Sequence, residues 1–325
     1  IEFENQCLQG QTSSYVKFEA FANQWFEEYA KINMRSTTIE RMKQLKNRTY
    51  KFLGHIYIGK ITIRDVQNFV NFLSTSAKSE SNGQPLSRKT VVHYLSFVSD
   101  VLSYAVRLNI IHDNPCRNVV IPKNLEGTHV KSVYSIEETI LFLEQLDKLA
   151  PVKYNTFFKL LIFGGLRRSE ALGLEWKDIN FKTNFISIRR ASNYTKEKGI
   201  YTDKTKTRNS ERIIQLPDEL ILQLKNFKSE QDIFKAELGS KWIENDRIFI
   251  KWNGEPMNNQ TPYGWLKEFC EKQNLPFYGI HTFRHLHASL LINAGVDIVA
   301  VSNSLGHSNV STTLNIYSHA FNEKK

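Results

Sequence analysis

Four short segments concentrate the residue types that phosphodiester chemistry needs. They are Gly165-Leu166-Arg167-Arg168-Ser169-Glu170, Lys204-Thr205-Lys206-Thr207-Arg208-Asn209-Ser210-Glu211-Arg212, His281-Thr282-Phe283-Arg284-His285, and Leu305-Gly306-His307 with Tyr317 further on. Attack on a phosphodiester builds negative charge on the non-bridging oxygens, and a guanidinium can hold such oxygens with paired hydrogen bonds of fixed geometry. A phenol with an ordinary pKa near 10 is a poor nucleophile at neutral pH, so it needs positive charge and a base beside it. Each segment taken singly also has a plain structural reading. Arg167 could pair with Glu170 at helical spacing, Lys206 could be a solvated charge on a hairpin, His281 and Arg284 could form a polar helix turn, and Tyr317 could be one of many packing tyrosines.

The elements that must position these residues follow from the apolar pattern. Residues 1–14 are polar and without period, and read as a tail or linker. Phe18, Phe21, Ala22, Trp25, Phe26 and Tyr29 then form a helical stripe. Thr37-Thr38-Ile39-Glu40 has the form of a capping box and predicts the start of a second helix. A third is predicted over about 63–73. Ser87 can cap a fourth, whose face carries Val91, Tyr94, Leu95, Val98, Val101, Leu102 and Ala105, and Asp113-Asn114-Pro115 ends the unit. This defines a helical domain over 15–115. Residues 116–134, with Pro122, Gly127 and several basic side chains, read as an interdomain linker. Ser135-Ile136-Glu137-Glu138 is another capping box and opens a second domain, 135–325. Helical sequence runs to about Lys177, alternation over Phe185–Arg189 predicts a strand, and further strands are expected near Ile200 and over Arg212–Leu216. Pro217-Asp218 opens another helix. From His281 on, the pattern is helical in pieces broken at Gly295 and Gly306.

Composition narrows the class. The chain has 325 residues and a formal net charge of +10, from 43 Lys+Arg against 33 Asp+Glu, an excess that a polyanionic partner would explain. Cys7, Cys116 and Cys270 are far apart and form no CxxC pair, so neither a disulfide framework nor a cysteine zinc site is indicated, and a reducing cytoplasm is expected. The most apolar stretch, Phe157–Leu166, is shorter than the roughly 20 residues of a membrane span and contains Lys159. The chain begins Ile1-Glu2-Phe3 without Met, and an N-terminal piece is expected to have been lost.

In combination and order, Gly-Leu-Arg-x-Ser-Glu, Lys-Thr-x-x-Ser-x-Arg, His-x-x-Arg, Gly-His and a late Tyr resemble the signature of the tyrosine recombinases, the lambda-integrase-like family of phage and conjugative-transposon integrases. The resemblance spans essentially the whole chain. It implies two domains: an all-α, SAM-like core-binding bundle, then a mixed α/β, mainly helical catalytic domain with a small antiparallel sheet. It implies catalytic roles for Arg167, Lys206, His281, Arg284, His307 and the nucleophile Tyr317, with Lys204 as an alternative to Lys206. Arg167 and Arg284 would clamp the phosphate, His281 would act as base, Lys206 would protonate the departing 5′ oxygen, and His307 would donate a further hydrogen bond. The broken bond's energy would be kept in a 3′-phosphotyrosine, so no cofactor and no metal are expected. The implied partners are double-stranded DNA at specific recombination sites, three further copies of the chain in a tetramer on paired sites, and accessory excision or DNA-bending proteins. Some members carry an arm-binding domain ahead of the core-binding domain. The family also implies that the two domains and the basic linker close on duplex DNA as a clamp, and that the tail beyond Tyr317, with Phe321, docks on a neighbouring protomer.

Three rival readings have distinct signatures. A metal-dependent single-strand nicking enzyme of relaxase type would use His285-Leu286-His287 on a β-strand, where both rings point one way; the surrounding sequence favours a helix, where they diverge. A type IB-like topoisomerase shares the chemistry but does not predict the integrase-like helical domain. A non-catalytic DNA-binding protein would not need suitable residues at all six catalytic positions. For DNA contacts the candidates are Arg41, Lys43, Lys46 and Arg48 on the second helix, and Arg88, Lys89, Thr90 and His93 near the start of the fourth. Arg41 and Arg48 fall on one side of their helix, Lys43 and Lys46 on another.

Overall fold

The structure, a computed structural model, describes residues 12–80, 82–123, 134–204, 211–306, 309, 310 and 313. The chain divides into two compact units, residues 1–129 and 130–325.

The first unit is helical. Helix α1 (Phe18–Trp25) runs on through a π-helical turn, Phe26–Ala30, into a last short turn, Lys31–Asn33. Phe18, Phe21, Ala22, Trp25 and Phe26 are buried, as their spacing predicts. Helix α2 (Ser36–Leu53) begins one residue before the predicted box. Its N-cap is Arg35, and no side chain caps it. Helix α3 (Ile63–Thr75) is opened by a capping box the sequence reading did not pick out: Thr62 Oγ1 accepts from the Asp65 N–H, and the Asp65 carboxylate accepts from the Thr62 N–H. Helix α4 (Arg88–Arg107) starts as expected at Ser87, whose hydroxyl accepts from the Thr90 N–H at 3.3 Å. Asn114 is buried and donates to the Ser99 carbonyl and to the Ser99 and Ser103 hydroxyls, while its own oxygen caps the Cys116 N–H. That side chain explains why Asp-Asn-Pro ends the bundle: it fastens the outgoing chain to α4. The fastening carries on past the predicted boundary. Cys116 lies in the first core, Val119 and Ile121 pack on it, and Val120 exchanges two 2.9 Å hydrogen bonds with the Gln67 amide.

The second unit is mixed. Ser135 and Glu138 make the predicted box at the start of α5 (Ile136–Leu149). Pro151 separates it from α6 (Val152–Gly164), which Gly165 terminates in the left-handed conformation (φ 61°). The one-turn helix α7 (Arg168–Ala171) follows. Strands β1 (Ile179–Asn180), β2 (Phe185–Ile188) and β5 (Arg212–Gln215) form an antiparallel sheet in the order β1-β2-β5, with Ile179 opposite Ile186 and Ile186 opposite Ile214 on its buried face. Between β2 and β5 the chain makes a separate hairpin, β3 (Arg190–Thr195) with β4 (Gly199–Lys204). Among the described residues there are thus two small sheets, and β3 is a strand that alternation did not reveal. Gly173 lets β3 approach: a Cβ there would lie 2.9 Å from the Arg190 carbonyl oxygen. Helices α8 (Asp218–Leu238), α9 (Thr261–Lys272), α10 (His281–Asn293) and α11 (Ile298–Leu305) follow. Gly295 (φ 84°) and Gly306 (φ 64°) break the last helices as predicted. One large aromatic-rich core joins α5, α6, α8 and α9 to the sheet and to Phe283 and Leu286, and a smaller one, Ala288, Ile292, Val301 and Leu305, joins α10 to α11. Among the described residues no helix is long and apolar enough to cross a membrane.

Candidate active site

The site is built where three segments of the second unit meet at the carboxyl end of α11. The last carbonyls of a helix have no partner within it and carry the negative end of its dipole. Here three arginines from three places supply the donors. Arg212, the first residue of β5, donates through Nε to the Ser304 carbonyl at 2.6 Å. Arg284, in the first turn of α10, donates through Nη2 to the Leu305 carbonyl. Arg167, preceding α7, donates through Nη2 to the Gly306 carbonyl at 3.3 Å. Arg284 also donates through Nη1 to the Gly165 carbonyl at 2.7 Å, which fixes it against the turn that carries Arg167.

A buried carboxylate organises this cluster. Glu170 Oε1 pairs with Arg167 Nη1 at 2.5 Å, and Oε2 accepts from the Arg167 backbone N–H and from Arg212 Nη2, both at 2.9 Å. The Glu170 side chain is 3% exposed, Arg212 6% and Arg167 30%, so Arg167 alone of the three presents much surface. Burial would push the Glu170 carboxyl up, but the charges and hydrogen bonds of Arg212 and Arg167 outweigh it and hold the group below the usual carboxylate range. The Arg167–Glu170 pair that helical spacing suggested is therefore real. It orients a site residue instead of decorating the surface.

Next to the cluster lies a cleft of about 540 Å³, whose walls include Arg167, Arg168, Asn259, Tyr263, His281 and His285. His281 stands at the first position of α10 and is exposed to it. The rings of His281 and His285 share one helical face, with centroids 6.5 Å apart. His287 turns the other way. Its Nδ1 lies 2.9 Å from the Ile162 carbonyl, and its ring packs so closely on Gly165 that a Cβ there would come within 2.5 Å of it. The His285-x-His287 pair thus diverges on a helix and does not form the parallel pair a strand would make.

Of the residues proposed from sequence, the structure brings Arg167, His281 and Arg284 into this one region. Lys206, His307 and Tyr317 lie outside the described residues, and of Lys204 only the backbone, in β4, is described. Two residues that matter here were not assigned a place in the site from sequence: Glu170, visible only as a pairing partner, and Arg212, quoted within the lysine motif but given no role.

In the first unit the proposed DNA contacts separate into groups. Burial lowers the His93 pKa, and the nearby positive charges of Arg41 and Lys89 lower it further, so these three basic groups from α2 and α4 are neighbours. Arg88 and Lys89 are exposed, and Thr90 is 3.0 Å from the Ser87 hydroxyl. Lys46 turns towards α1, donating to Asn23 Oδ1 at 2.7 Å and lying over the Phe26 ring, and the positive charge of Lys43 bears on it. Arg48 donates to the Lys78 carbonyl at 2.7 Å and lies over Tyr94.

The architecture is that of the tyrosine recombinases. The chain superposes on a solved structure of the Tn1549 transposon integrase in complex with a circular intermediate DNA, with a TM-score of 0.74 and 22% identity over 95% of this chain and 99% of that one. A lambda integrase dimer bound to a core site gives 0.63 and 14%, covering 93% and 95%. The phage integrase family profile matches residues 124–324, and the phage integrase SAM-like domain matches 17–121. The chain belongs to the phage integrase family. Among its relatives, the ICEBs1 integrase of Bacillus subtilis is 29% identical over 82% of this chain and 69% of its own length. A XerC-like tyrosine recombinase of Caldanaerobacter subterraneus is 29% identical over 93% and 78%.

Proposed function

We propose that this chain is a site-specific recombinase that moves a mobile element or phage genome by cutting and rejoining DNA through Tyr317. The observation that carries the reading is the convergence of Arg167 and Arg284, from distant segments, on the residues immediately before His307, with His281 and Arg167 walling one cleft. In the proposed reaction the Tyr317 phenolic oxygen forms a bond to the scissile phosphorus as the bond from phosphorus to the 5′ oxygen breaks. The phenolic proton passes to His281, and the departing 5′ oxygen takes a proton from Lys206. Arg167 and Arg284 hold the non-bridging oxygens, with His307 as a further donor; preorganised donors of this kind lower the barrier by roughly 3–4 kcal/mol each. A 5′ hydroxyl from the partner duplex then attacks the phosphotyrosine, and the reverse proton transfers restore the enzyme. One phosphodiester is exchanged for another, so rejoining needs no nucleotide.

Double-stranded DNA is the proposed partner, first through Arg41, Lys89 and His93 of the helical unit. The Tn1549 integrase was solved with DNA and a lambda integrase tetramer on a Holliday junction, which supports a DNA-bound tetramer here. Work on a chromosome or phage genome supports a bacterial cytoplasm as the proposed location.

The test is covalent trapping. A binding site is first selected from random duplexes, then nicked next to the cleavage point so that the cut strand escapes. The wild-type chain should form an adduct that peptide mass spectrometry maps to Tyr317, and Tyr317→Phe should bind the duplex without forming it. An adduct on another residue, or one that survives in Tyr317→Phe, would overturn the assignment.

A further inference from the structure

We propose that Arg212 is a positioning residue that couples three separately encoded parts of the catalytic centre, an inference that rests on the recombinase reading above. Its guanidinium works in two directions. Nη2 holds Glu170 Oε2 at 2.9 Å, the oxygen that also accepts from the Arg167 backbone N–H, and Nε holds the Ser304 carbonyl at 2.6 Å, three residues before His307. Its backbone opens β5, pairing opposite Ile188, directly after the segment that carries Lys206. One side chain therefore ties together the Arg167 turn, the end of α11 that leads to His307, and the strand that leads away from Lys206.

The chemistry requires arginine. A planar fork can bind a carboxylate through one nitrogen and a carbonyl through another, whereas an ammonium is a point charge on a flexible stem. The electrostatics suggest a second consequence. Glu170 is buried between two guanidiniums, and if Arg212 were neutral its whole charge would fall on Arg167. Arg167 would then be held more tightly by protein and would be less available to a phosphate. Sharing the carboxylate leaves Arg167 both oriented and electrostatically competent. Bulk stability does not demand such a pair, since buried ion pairs can often be replaced by apolar groups of similar volume without loss.

The experiment compares full-length Arg212→Lys and Arg212→Gln with the wild type in duplex affinity, single-turnover cleavage of the nicked duplex, the pH dependence of that cleavage, and thermal unfolding. Duplex affinity should stay within about threefold while cleavage falls, by about tenfold for Arg212→Lys and about 10²-fold for Arg212→Gln, the loss expected when a reacting group is displaced by about an ångström. In Arg212→Gln the acidic limb of the cleavage profile should move to higher pH, because Glu170 loses the cation that does most to hold its carboxyl down. Cleavage by Arg212→Gln within twofold of wild type would overturn the inference. So would a fall in affinity as large as the fall in cleavage. If Arg212→Gln does not fold, Arg212→Lys decides: wild-type cleavage and an unmoved pH profile would overturn the proposal. A wild-type chain that forms no adduct would instead sink the recombinase reading, and this inference with it.

Discussion

Two sets of basic residues in this molecule share a chemistry and differ in everything else. In the helical unit, Arg41 and Lys89 stand exposed around His93. In the second unit, Arg212 and Arg284 are almost entirely buried, and they and Arg167 each donate to a named carbonyl at the end of one helix. The exposed set can attract a polyanion at long range but cannot hold it in one geometry, because exposed charges are screened and their side chains are free to move. The buried set has given up hydration and rotamer freedom for fixed direction. We propose a division of labour between them, with affinity resting on the first set and rate on the second.

Arg284→Gln should break the division most severely if it is wrong. Glutamine cannot bridge the Gly165 and Leu305 carbonyls as the guanidinium does, and it brings no charge to the phosphate. Cleavage of the nicked duplex should fall by about 10²–10³-fold with duplex affinity little changed. Affinity falling in step with cleavage would mean that the buried arginines bind DNA in the same way as the surface ones.

The converse substitution has a smaller effect. Arg41→Ala with Lys89→Ala should weaken duplex binding and flatten its salt dependence by roughly two units of log–log slope, about 0.9 for each lost phosphate contact. Cleavage at saturating DNA should be unaltered. An unchanged salt slope in a titration by fluorescence anisotropy would remove this patch from the interface.

The mildest effect concerns pH. Burial lowers the His287 pKa, and the charges of Arg284 and Arg212 oppose its protonation further, although a hydrogen bond to the Ile162 carbonyl partly offsets them. A histidine whose folded pKa lies below its unfolded value contributes stability above the unfolded pKa, and this is lost as pH falls below about 6.5. Glu170, held low when folded, adds a second loss only below its ordinary range near 4.5. Thermal midpoints of the wild type should therefore drop between pH 7.5 and 5.5 by more than those of His287→Asn. Equal drops would show that the surroundings of His287 tolerate a further cation beside Arg284 and Arg212.

Much of this was legible in advance. The α1 stripe, the Ser87 and Ser135 caps and the breaks at Gly295 and Gly306 depend on neighbours within a few residues, so spacing reveals them. The start of α2 was misplaced because Thr37 and Glu40 suit a cap by type, while the chain turns helical already at Ser36. Strand β3 escaped because Arg-Ala-Ser-Asn-Tyr-Thr carries no apolar alternation; it is held by its pairing to β4 and by the space above Gly173. The basic run on α2 could be divided between two sides of the helix, but the partners of Lys46 and Arg48 could not be read, since Asn23, Phe26, Lys78 and Tyr94 come from other segments of the chain.

Residue order alone determined which side chains are present, which helices carry them, and that five motifs stand in the succession of a tyrosine recombinase. Only the tertiary structure decided that Glu170 is shared by two arginines, that Arg212 belongs beside Arg167, and that three guanidiniums meet the carbonyls of Ser304, Leu305 and Gly306. The reason is physical. Caps and stripes are set by backbone geometry over a turn or two, whereas an unsatisfied helix end or a buried carboxylate takes its partners from whatever the packed core brings within reach.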